Sequence, residues 1–255
     1  MSDITNNPAV LTEVRDRVLL ITLNRPEARN AVNSDLAQGL LAAIEQLDGD
    51  DGLTAGVLTG AGRGFCAGMD LKAFAKGGPP AGFDTFLQNG STKPLIAAIE
   101  GFALAGGLEV ALTCDLLVAA QGVKLGIPEV GVGLLAAGGA LMRLPRRVPY
   151  SVAMRMALTA EPILAEDALT YGLVTEVTEK GGTVDAALAI AERIAQNAPL
   201  SVAGSKAMIL GQQGLTEEEF WAMQRPHMGK IFRSEDALEG AMSFAEKRAP
   251  EWKGR

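Results

Sequence analysis

The hydrophobic pattern changes its period part-way along the chain, and this change constrains the fold more than any other feature. In the first half, short apolar runs typical of buried strands alternate with helical spacing, and these runs cover residues 18–23, 55–59, 94–99 and 116–119. After about Tyr150 the spacing is helical. Strands early and helices late predict an α/β core followed by a helical C-terminal layer.

Polar residues at the starts of the helical segments indicate where several helices begin. Ser34 is predicted to cap the first long helix, and Ser234 the last, which runs to about Lys247. Thr216 and Glu219 have the spacing of a capping box. The remaining C-terminal helices are predicted over residues 151–158, 165–171, 183–197 and 200–212.

Composition and charge exclude several classes of protein. The chain of 255 residues is 48% hydrophobic and 21% charged, which is typical of a folded globular protein. A net charge of −7 argues against nucleic acid as a partner, because such binding needs a basic surface. No apolar run reaches the roughly 18 residues of a membrane span. The N-terminus lacks a secretory signal pattern, so a cytoplasmic location is expected.

Histidine and cysteine, which commonly bind transition metals or take part in nucleophilic catalysis, are scarce in this chain. The single histidine, His227, excludes a multi-histidine metal site and is expected near a helix end. The two cysteines, Cys66 and Cys114, are too few for a disulfide framework and are predicted to be free, buried thiols. No metal site is therefore predicted.

Three glycine-rich bends carry the residues of chemical interest, at positions 64–71, 101–109 and 124–133. In the first, Asp70 is predicted to cap a short helix from Leu71, which leaves the Met69 N–H free to meet an anion. In the second, a glycine pair precedes a helix whose first turn holds Glu109, where the helix dipole favours the carboxylate. Each of these two bends, taken alone, is more typical of an ordinary helix start than of a site.

Glu129 follows Pro128 in the third bend and is surrounded by apolar residues. Such a carboxylate is either exposed at a turn or buried with a raised pKa, and the sequence leaves both readings open. Two carboxylates and two backbone bends together supply what is needed to hold an oxyanion while protons move around it.

Residues 131–136 also fit the dinucleotide fingerprint G-x-G-x-x-A. That fingerprint requires a strand before it and an acidic residue about 20 positions later. The preceding stretch contains Pro128 and Glu129, and the next acidic residue is Glu161. The match is therefore set aside, and no nicotinamide site is predicted.

The three bends, read in order, resemble the crotonase (enoyl-CoA hydratase/isomerase) family. The resemblance rests on Phe-Cys-Ala-Gly-Met-Asp-Leu at 65–71, on residues 101–115, and on the two ends of the family pattern at 23–31 and 244–255. It implies a crotonase-like spiral of ββα turns in residues 1–195 and a helical trimerisation region in residues 196–255. It also implies a homotrimer or a dimer of trimers.

The same resemblance implies the chemistry. The substrate would be an acyl-CoA thioester, with no cofactor beyond the CoA that the substrate carries. The N–H groups of Met69 and Gly106 would hold the thioester oxygen. Glu109 would orient and deprotonate a water, and Glu129 would deliver a proton to the α-carbon.

Further positions are implied as substrate-binding. Local cations would meet the anionic CoA, and the candidates, each of which could equally be an ordinary surface charge, are Arg25, Arg29, Lys72 and Lys247. Leu134 would line the acyl channel, where relatives commonly have a Pro-Gly pair nearby. The rest of the set comes from the two oxyanion segments and comprises Ala67, Gly68, Asp70, Leu71 and Gly107.

The resemblance, together with the presence of both glutamates, implies an enoyl-CoA hydratase, a hydro-lyase that adds water reversibly to a 2-enoyl-CoA. A carnitinyl-CoA-type dehydratase or racemase would use the same two glutamates. An enoyl-CoA isomerase would need only one of them. A non-catalytic acyl-CoA-binding homologue, which would bind the thioester without turnover, is the alternative from a different class.

Overall fold

The computed structural model of the protein describes residues 8–78 and 80–255. The prediction that the chain has no secretory signal concerns residues 1–7, and these residues lie outside the described part of the chain. Within the described part of the chain, no helix is both long enough and apolar enough to cross a membrane.

A mostly parallel sheet forms the centre of the molecule. Its strand order is β1-β2-β3-β4-β6-β9, and a smaller sheet has the order β5-β7-β8. The strands are β1 (Val10–Arg15), β2 (Val18–Leu23), β3 (Ala55–Gly60), β4 (Leu95–Ile99), β5 (Phe102–Leu104), β6 (Leu116–Ala120), β7 (Lys124–Gly126), β8 (Ile163–Leu164) and β9 (Glu176–Thr178). Only β1 with β2 and β7 with β8 pair antiparallel among these strands.

Both faces of the large sheet are covered, which explains why its strands are nearly continuous apolar runs. In β2, Leu19 and Ile21 point into the main core. Val18 and Leu20 point to the opposite face, where they pack in a second cluster with Leu188 of the helix at Thr183–Ala195.

The helices surround these sheets and then make up the C-terminal end of the chain. They are α1 (Ser34–Gly49), α2 (Leu71–Gly77), α3 (Phe83–Asn89), α4 (Gly106–Thr113), α5 (Ala140–Arg147), α6 (Tyr150–Thr159), α7 (Ala165–Thr170), α8 (Thr183–Ala195), α9 (Pro199–Gly211), α10 (Glu217–Ile231) and α11 (Glu235–Glu246). The α/β class is confirmed. The chain after Tyr150 is mostly helical, as predicted, but β8 and β9 also lie there, because pairing with β7 and β6 creates these two short strands. The division at 195/196 stays a prediction, although it falls where α8 ends.

Most predicted helix starts agree with the structure. Thr216 and Glu219 form the predicted capping box, and Ser234 accepts a hydrogen bond from the N–H of Ala237. The prediction for Ser34 was wrong. Asn33 is the cap, because its backbone is extended and its side-chain oxygen accepts from the Leu36 N–H at 3.0 Å.

The placement of His227 at a helix end was also wrong. His227 lies inside α10, which continues past Pro226 to Ile231. A proline removes one intrahelical hydrogen bond, and here the turns on either side maintain the helix.

Candidate active site

The first glycine-rich segment connects β3 to α2. Val32 pairs with it as in a parallel ladder, donating to the Gly68 carbonyl at 2.8 Å and accepting from the Asp70 N–H at 3.0 Å. The N–H of Met69, which lies between those two groups, therefore points away from Val32. Within the described residues it donates to no protein acceptor. Asp70 caps α2 through the N–H of Ala73, as predicted.

The second segment connects β5 to α4 through Ala105. Its backbone has φ 53° and ψ −133°, a conformation that a residue with a β-carbon rarely adopts. This turn places the Gly106 N–H at the start of α4, where it too has no acceptor among the described residues. Gly107 packs so closely on the Cys66 carbonyl that a β-carbon there would collide with it.

The two segments meet at Gly68 and Gly106. A β-carbon on Gly68, whose φ is +96°, would lie 3.0 Å from the Gly106 nitrogen. A β-carbon on Gly106 would lie 3.5 Å from the Met69 nitrogen. The close approach of the two backbones needs a glycine at position 68, and it brings two free N–H groups to one place.

The side chain of Cys66 stabilises the first segment through two hydrogen bonds. Its thiol donates to the Asn30 carbonyl at 3.0 Å, and its sulfur accepts from the Gly68 N–H at 3.4 Å. Both cysteines are free and buried, so the prediction for them is confirmed. Burial raises the pKa of the Cys66 thiol to about 12.

Glu109 projects from the first turn of α4 into the protein interior and is only 5% exposed. One carboxylate oxygen accepts from the Ala140 N–H at 3.2 Å. Burial raises its pKa to about 7, the Ala140 N–H opposes that rise, and repulsion from Glu129 adds to it. The expected helix-dipole stabilisation of the carboxylate is thus outweighed by desolvation.

Glu129 lies in a short 3-10 helix, Pro128–Val132, that follows β7. Its side chain is half-buried, and burial raises its pKa. The Oε2 atom is buried and has no hydrogen-bond partner among the described residues. Of the two readings left open by the sequence, the structure supports the buried group with a raised pKa.

A cavity of about 840 Å³ connects these groups. Seven of the predicted site residues line it, namely Ala67, Met69, Leu71, Gly106, Glu109, Glu129 and Leu134. Large apolar side chains form much of the remaining wall, including Phe74, Phe83, Leu87, Val132, Leu135 and Met142. The cavity thus combines two carboxylates, two free N–H groups and an apolar wall, which suits the conversion of an apolar molecule with one polar reacting centre.

Comparison with known proteins agrees with this arrangement. The family model described as enoyl-CoA hydratase/isomerase matches residues 13–255. The chain belongs to this family. The prediction of the crotonase family and of its fold is therefore confirmed.

Among relatives, the (E)-benzylidenesuccinyl-CoA hydratase of Thauera aromatica is 41% identical over 96% of this chain and 99% of its own. The carnitinyl-CoA dehydratase of Proteus mirabilis is 38% identical over 94% of this chain and 97% of its own. A solved structure of a probable enoyl-CoA hydratase/isomerase from Mycobacterium abscessus is 52% identical, with a TM-score of 0.94 over 98% of this chain and 100% of that one. The prediction of a hydro-lyase is confirmed at the level of reaction class.

In this member of the enoyl-CoA hydratase/isomerase family, three predicted binding residues have structural contacts instead of lining the cavity. Gly68 and Gly107 permit the close backbone contacts described above. Asp70 caps α2 and forms an ion pair with Arg25 at 3.3 Å. The N–H of Ala73 and then Arg25 lower the pKa of Asp70.

The four predicted cations lie outside the cavity lining. Arg25 is half-buried and bonds to Asp70 and to the Ala31 carbonyl. Arg29 and Lys72 are exposed near the first segment, and Lys247 is exposed at the C-terminal end of α11. Their roles in binding CoA stay predictions.

The cation that does line the cavity is Arg143 of α5, which the sequence reading missed. Gly138 and Ala140, which contact Glu109, were missed as well. A glycine pair at 138–139 directly before a helix was the available signal, since the same pattern marks the start of α4.

Proposed function

We propose that the protein is an enoyl-CoA hydratase that adds water reversibly to a 2-enoyl-CoA. The observation that carries the proposal is the convergence of Glu109, Glu129 and the N–H groups of Met69 and Gly106 on one cavity. Membership of the enoyl-CoA hydratase/isomerase family supports a CoA thioester as the substrate. No cofactor beyond the CoA of the substrate is needed for this reaction.

In the proposed reaction, the thioester oxygen accepts hydrogen bonds from Met69 and Gly106. These donors stabilise the enolate that forms when water attacks the β-carbon, and one such donor is typically worth about 3–4 kcal/mol. Glu109, as a carboxylate, takes a proton from the attacking water. Glu129, as the acid, gives its proton to the α-carbon, which completes the addition of one water molecule.

The raised pKa values of both glutamates fit this division. Glu109 is buried and Glu129 half-buried, and in the proposed reaction they share a water. Two carboxyl groups coupled in this way titrate as a pair, so one proton resides on the pair over a range of pH. A singly protonated pair supplies the base and the acid that hydration requires at the same time. In dehydration the roles are reversed: Glu129 takes the proton from the α-carbon, and Glu109 gives a proton to the leaving hydroxyl group.

The shape of the cavity favours an acyl group larger than a four-carbon chain. Leu134 and Leu135 are 50% and 62% exposed, and both line the cavity. An acyl chain that reached them would cover apolar surface worth about 25 cal/mol per Å². We therefore expect longer or bulkier 2-enoyl groups to react better than crotonyl-CoA.

A carnitinyl-CoA-type dehydratase is the second candidate. The Proteus mirabilis relative carries that name. In addition, Asp84 and the rings of Phe74 and Phe83 line the cavity, and an acidic group with aromatic faces is an environment that attracts quaternary ammonium groups.

CoA binding and assembly belong to the same proposal. Arg29, Lys72 and Lys247 are exposed and free to approach the CoA phosphates of the same or a neighbouring subunit. A homotrimer or dimer of trimers would bring Lys247 to a neighbouring subunit's substrate. A cytoplasmic location would match a substrate that is a soluble CoA thioester.

The test follows absorbance of the conjugated thioester with crotonyl-CoA, a ten-carbon 2-enoyl-CoA and crotonobetainyl-CoA. We expect the signal to disappear with the wild type and to persist with Glu109→Gln and Glu129→Gln. Glu45→Gln makes the same change at an exposed position of α1 and should behave as wild type.

Other outcomes separate the alternatives. Activity that survives one of the two replacements would favour an isomerase. Tight binding of the CoA thioesters with an unchanged absorbance would favour a non-catalytic binding protein and would contradict the hydratase proposal.

A further inference from the structure

The segment 138–143 encloses Glu109 but has no part in the proposed reaction. It comprises the glycine pair before α5 and the first turn of that helix. Its contacts with Glu109 are backbone contacts, and a single charged side chain, Arg143, connects it to the rest of the cavity wall.

Gly138 lies directly against the carboxylate. A β-carbon there would be 2.5 Å from Oε2 of Glu109, 2.8 Å from its carboxyl carbon and 2.8 Å from Leu87. No other residue type can occupy this position without moving Glu109, because contacts below 3.0 Å do not occur for real β-carbons. Oε1 of the same carboxylate accepts from Ala140. The backbone of 138–140 therefore determines where the carboxylate sits.

Arg143 holds this backbone in place. Its guanidinium donates to the Gly138 carbonyl at 3.2 Å and to the Leu87 carbonyl in α3 at 2.5 Å. It also packs against Gly139, where φ is +105° and a β-carbon would collide with Nη1. One side chain thus ties the glycine pair to a second helix.

We infer that Arg143 is a positioning residue: through Gly138 it fixes the carboxylate of Glu109, and it places a positive charge in the wall of the same cavity. The inference rests on the proposed function only in giving Glu109 the task of holding a water. The arrangement itself stands on the contacts of Gly138, Ala140 and Arg143.

The charges around Glu109 act in opposite directions. Burial and the carboxylate of Glu129 disfavour ionisation, whereas the N–H groups of Ala140 and Gly138 and the charge of Arg143 favour it. Burial, and repulsion from Arg147 and Arg146, lower the pKa of Arg143 itself. An arginine stays protonated despite such shifts, so its charge is constant over the working range of pH.

The decisive experiment titrates Glu109 directly in the free protein by carbon NMR of labelled glutamate carboxyl groups. The signal is assigned by its loss in Glu109→Gln. Arg143→Gln removes the charge but keeps a donor, and it should raise the pKa of Glu109 by about one pH unit. Arg143→Lys keeps the charge and should shift it much less. Arg146→Gln, an exposed position on the same helix, should leave it unchanged.

Steady-state kinetics test whether the backbone at Gly138 fixes the position of the Glu109 carboxylate. Gly138→Ala should lower kcat about 100-fold with little change in KM, as expected when a reacting group is displaced by about 1 Å. Gly49→Ala is the matched control, because a β-carbon at this position in α1 would meet nothing within 4 Å. A Gly138→Ala protein with wild-type kcat, or an unmoved pKa in Arg143→Gln, would overturn the inference.

The two measurements also separate this inference from the proposed function. The NMR titration needs no substrate, so a shift in Arg143→Gln supports the inference even if no enoyl-CoA is hydrated. If Arg143→Gln does not fold, the kinetics of Gly138→Ala decide, and if Gly138→Ala does not fold, the titration decides.

Discussion

The surroundings of Glu109 and Glu129 differ although both carboxyl groups line the same cavity. Glu109 is enclosed by backbone N–H groups and by a segment that Arg143 holds in place. Glu129 lies in a short 3-10 helix and is followed by exposed apolar residues. One of its carboxylate oxygens is buried and has no hydrogen-bond partner in the part of the chain that the structure describes. Contacts on several sides hold the Glu109 carboxylate in position, whereas Glu129 has an oxygen without a hydrogen-bond partner among the described residues.

The largest expected effect comes from removing either carboxylate. Glu109→Gln and Glu129→Gln should each lower kcat about 10²- to 10⁴-fold, which is typical for loss of a general acid or base. In the proposed mechanism both groups act on one water, so the double variant should be little worse than the poorer single variant. Steady-state kinetics on a 2-enoyl-CoA measures this. Multiplicative losses in the double variant would mean that the two groups work independently.

Glu109→Gln should raise the stability of the folded protein at neutral to alkaline pH, although it lowers kcat. Its pKa is about 7 in the folded protein against 4.5 normally, so between these values only the folded chain keeps the proton. Stability from this group therefore falls as pH rises through that interval. Relative to its effect at about pH 4, Glu109→Gln should stabilise the protein by about 3 kcal/mol at about pH 8.

Urea unfolding at the two pH values measures that difference, with Glu45→Gln as the control. Glu129→Gln should show a smaller gain, because its side chain is only half-buried. Equal increases in the free energy of unfolding for Glu109→Gln and Glu129→Gln would show that the two carboxyl groups do not differ in how strongly burial raises their pKa.

The apolar residues after Glu129 should govern acyl preference. Leu134→Ala removes apolar surface from the cavity wall and should reduce the ratio of kcat/KM for a ten-carbon over a four-carbon substrate by about tenfold. Leu158→Ala alters an exposed leucine that does not line the cavity and should leave the ratio unchanged. An unchanged ratio in Leu134→Ala would place the acyl chain elsewhere.

The smallest effect concerns the turn before Glu109. Ala105 adopts a backbone conformation, φ 53° and ψ −133°, that favours glycine. Ala105→Gly should relieve this strain and stabilise the protein by about 1 kcal/mol. Thermal unfolding detects the change. A loss of stability would show that the Ala105 methyl group, which lies close to Gly68, contributes packing that outweighs the strain.

Sequence reasoning located those parts of the molecule whose signals are local. Asp70 at its cap, Thr216 with Glu219 in a capping box, and the apolar strands β2 to β4 all follow from side chains within a few residues of one another. The short strands β5, β7 and β8 escaped prediction because their pairing with distant segments creates them.

The site residues also differ in whether a local sequence pattern reveals them. Glu109 and Glu129 stand in motifs that can be read along the chain, but the role of Arg143 depends on α5 packing against α3. Pro145 inside α5 and the glycine pair before it also hide that helix from a reading by periodicity. A contact between residues 87 and 143 leaves no pattern in a single sequence.

The buried sulfur beneath the first glycine-rich segment has a chemical consequence. Alkylating reagents and peroxides attack the thiolate, and a thiol with a pKa of about 12 offers almost none at neutral pH. Burial raises the pKa of Cys114 as well. The Cys66 sulfur beneath this segment is therefore protected from alkylating reagents, so activity should persist through alkylation that inactivates enzymes with accessible thiols.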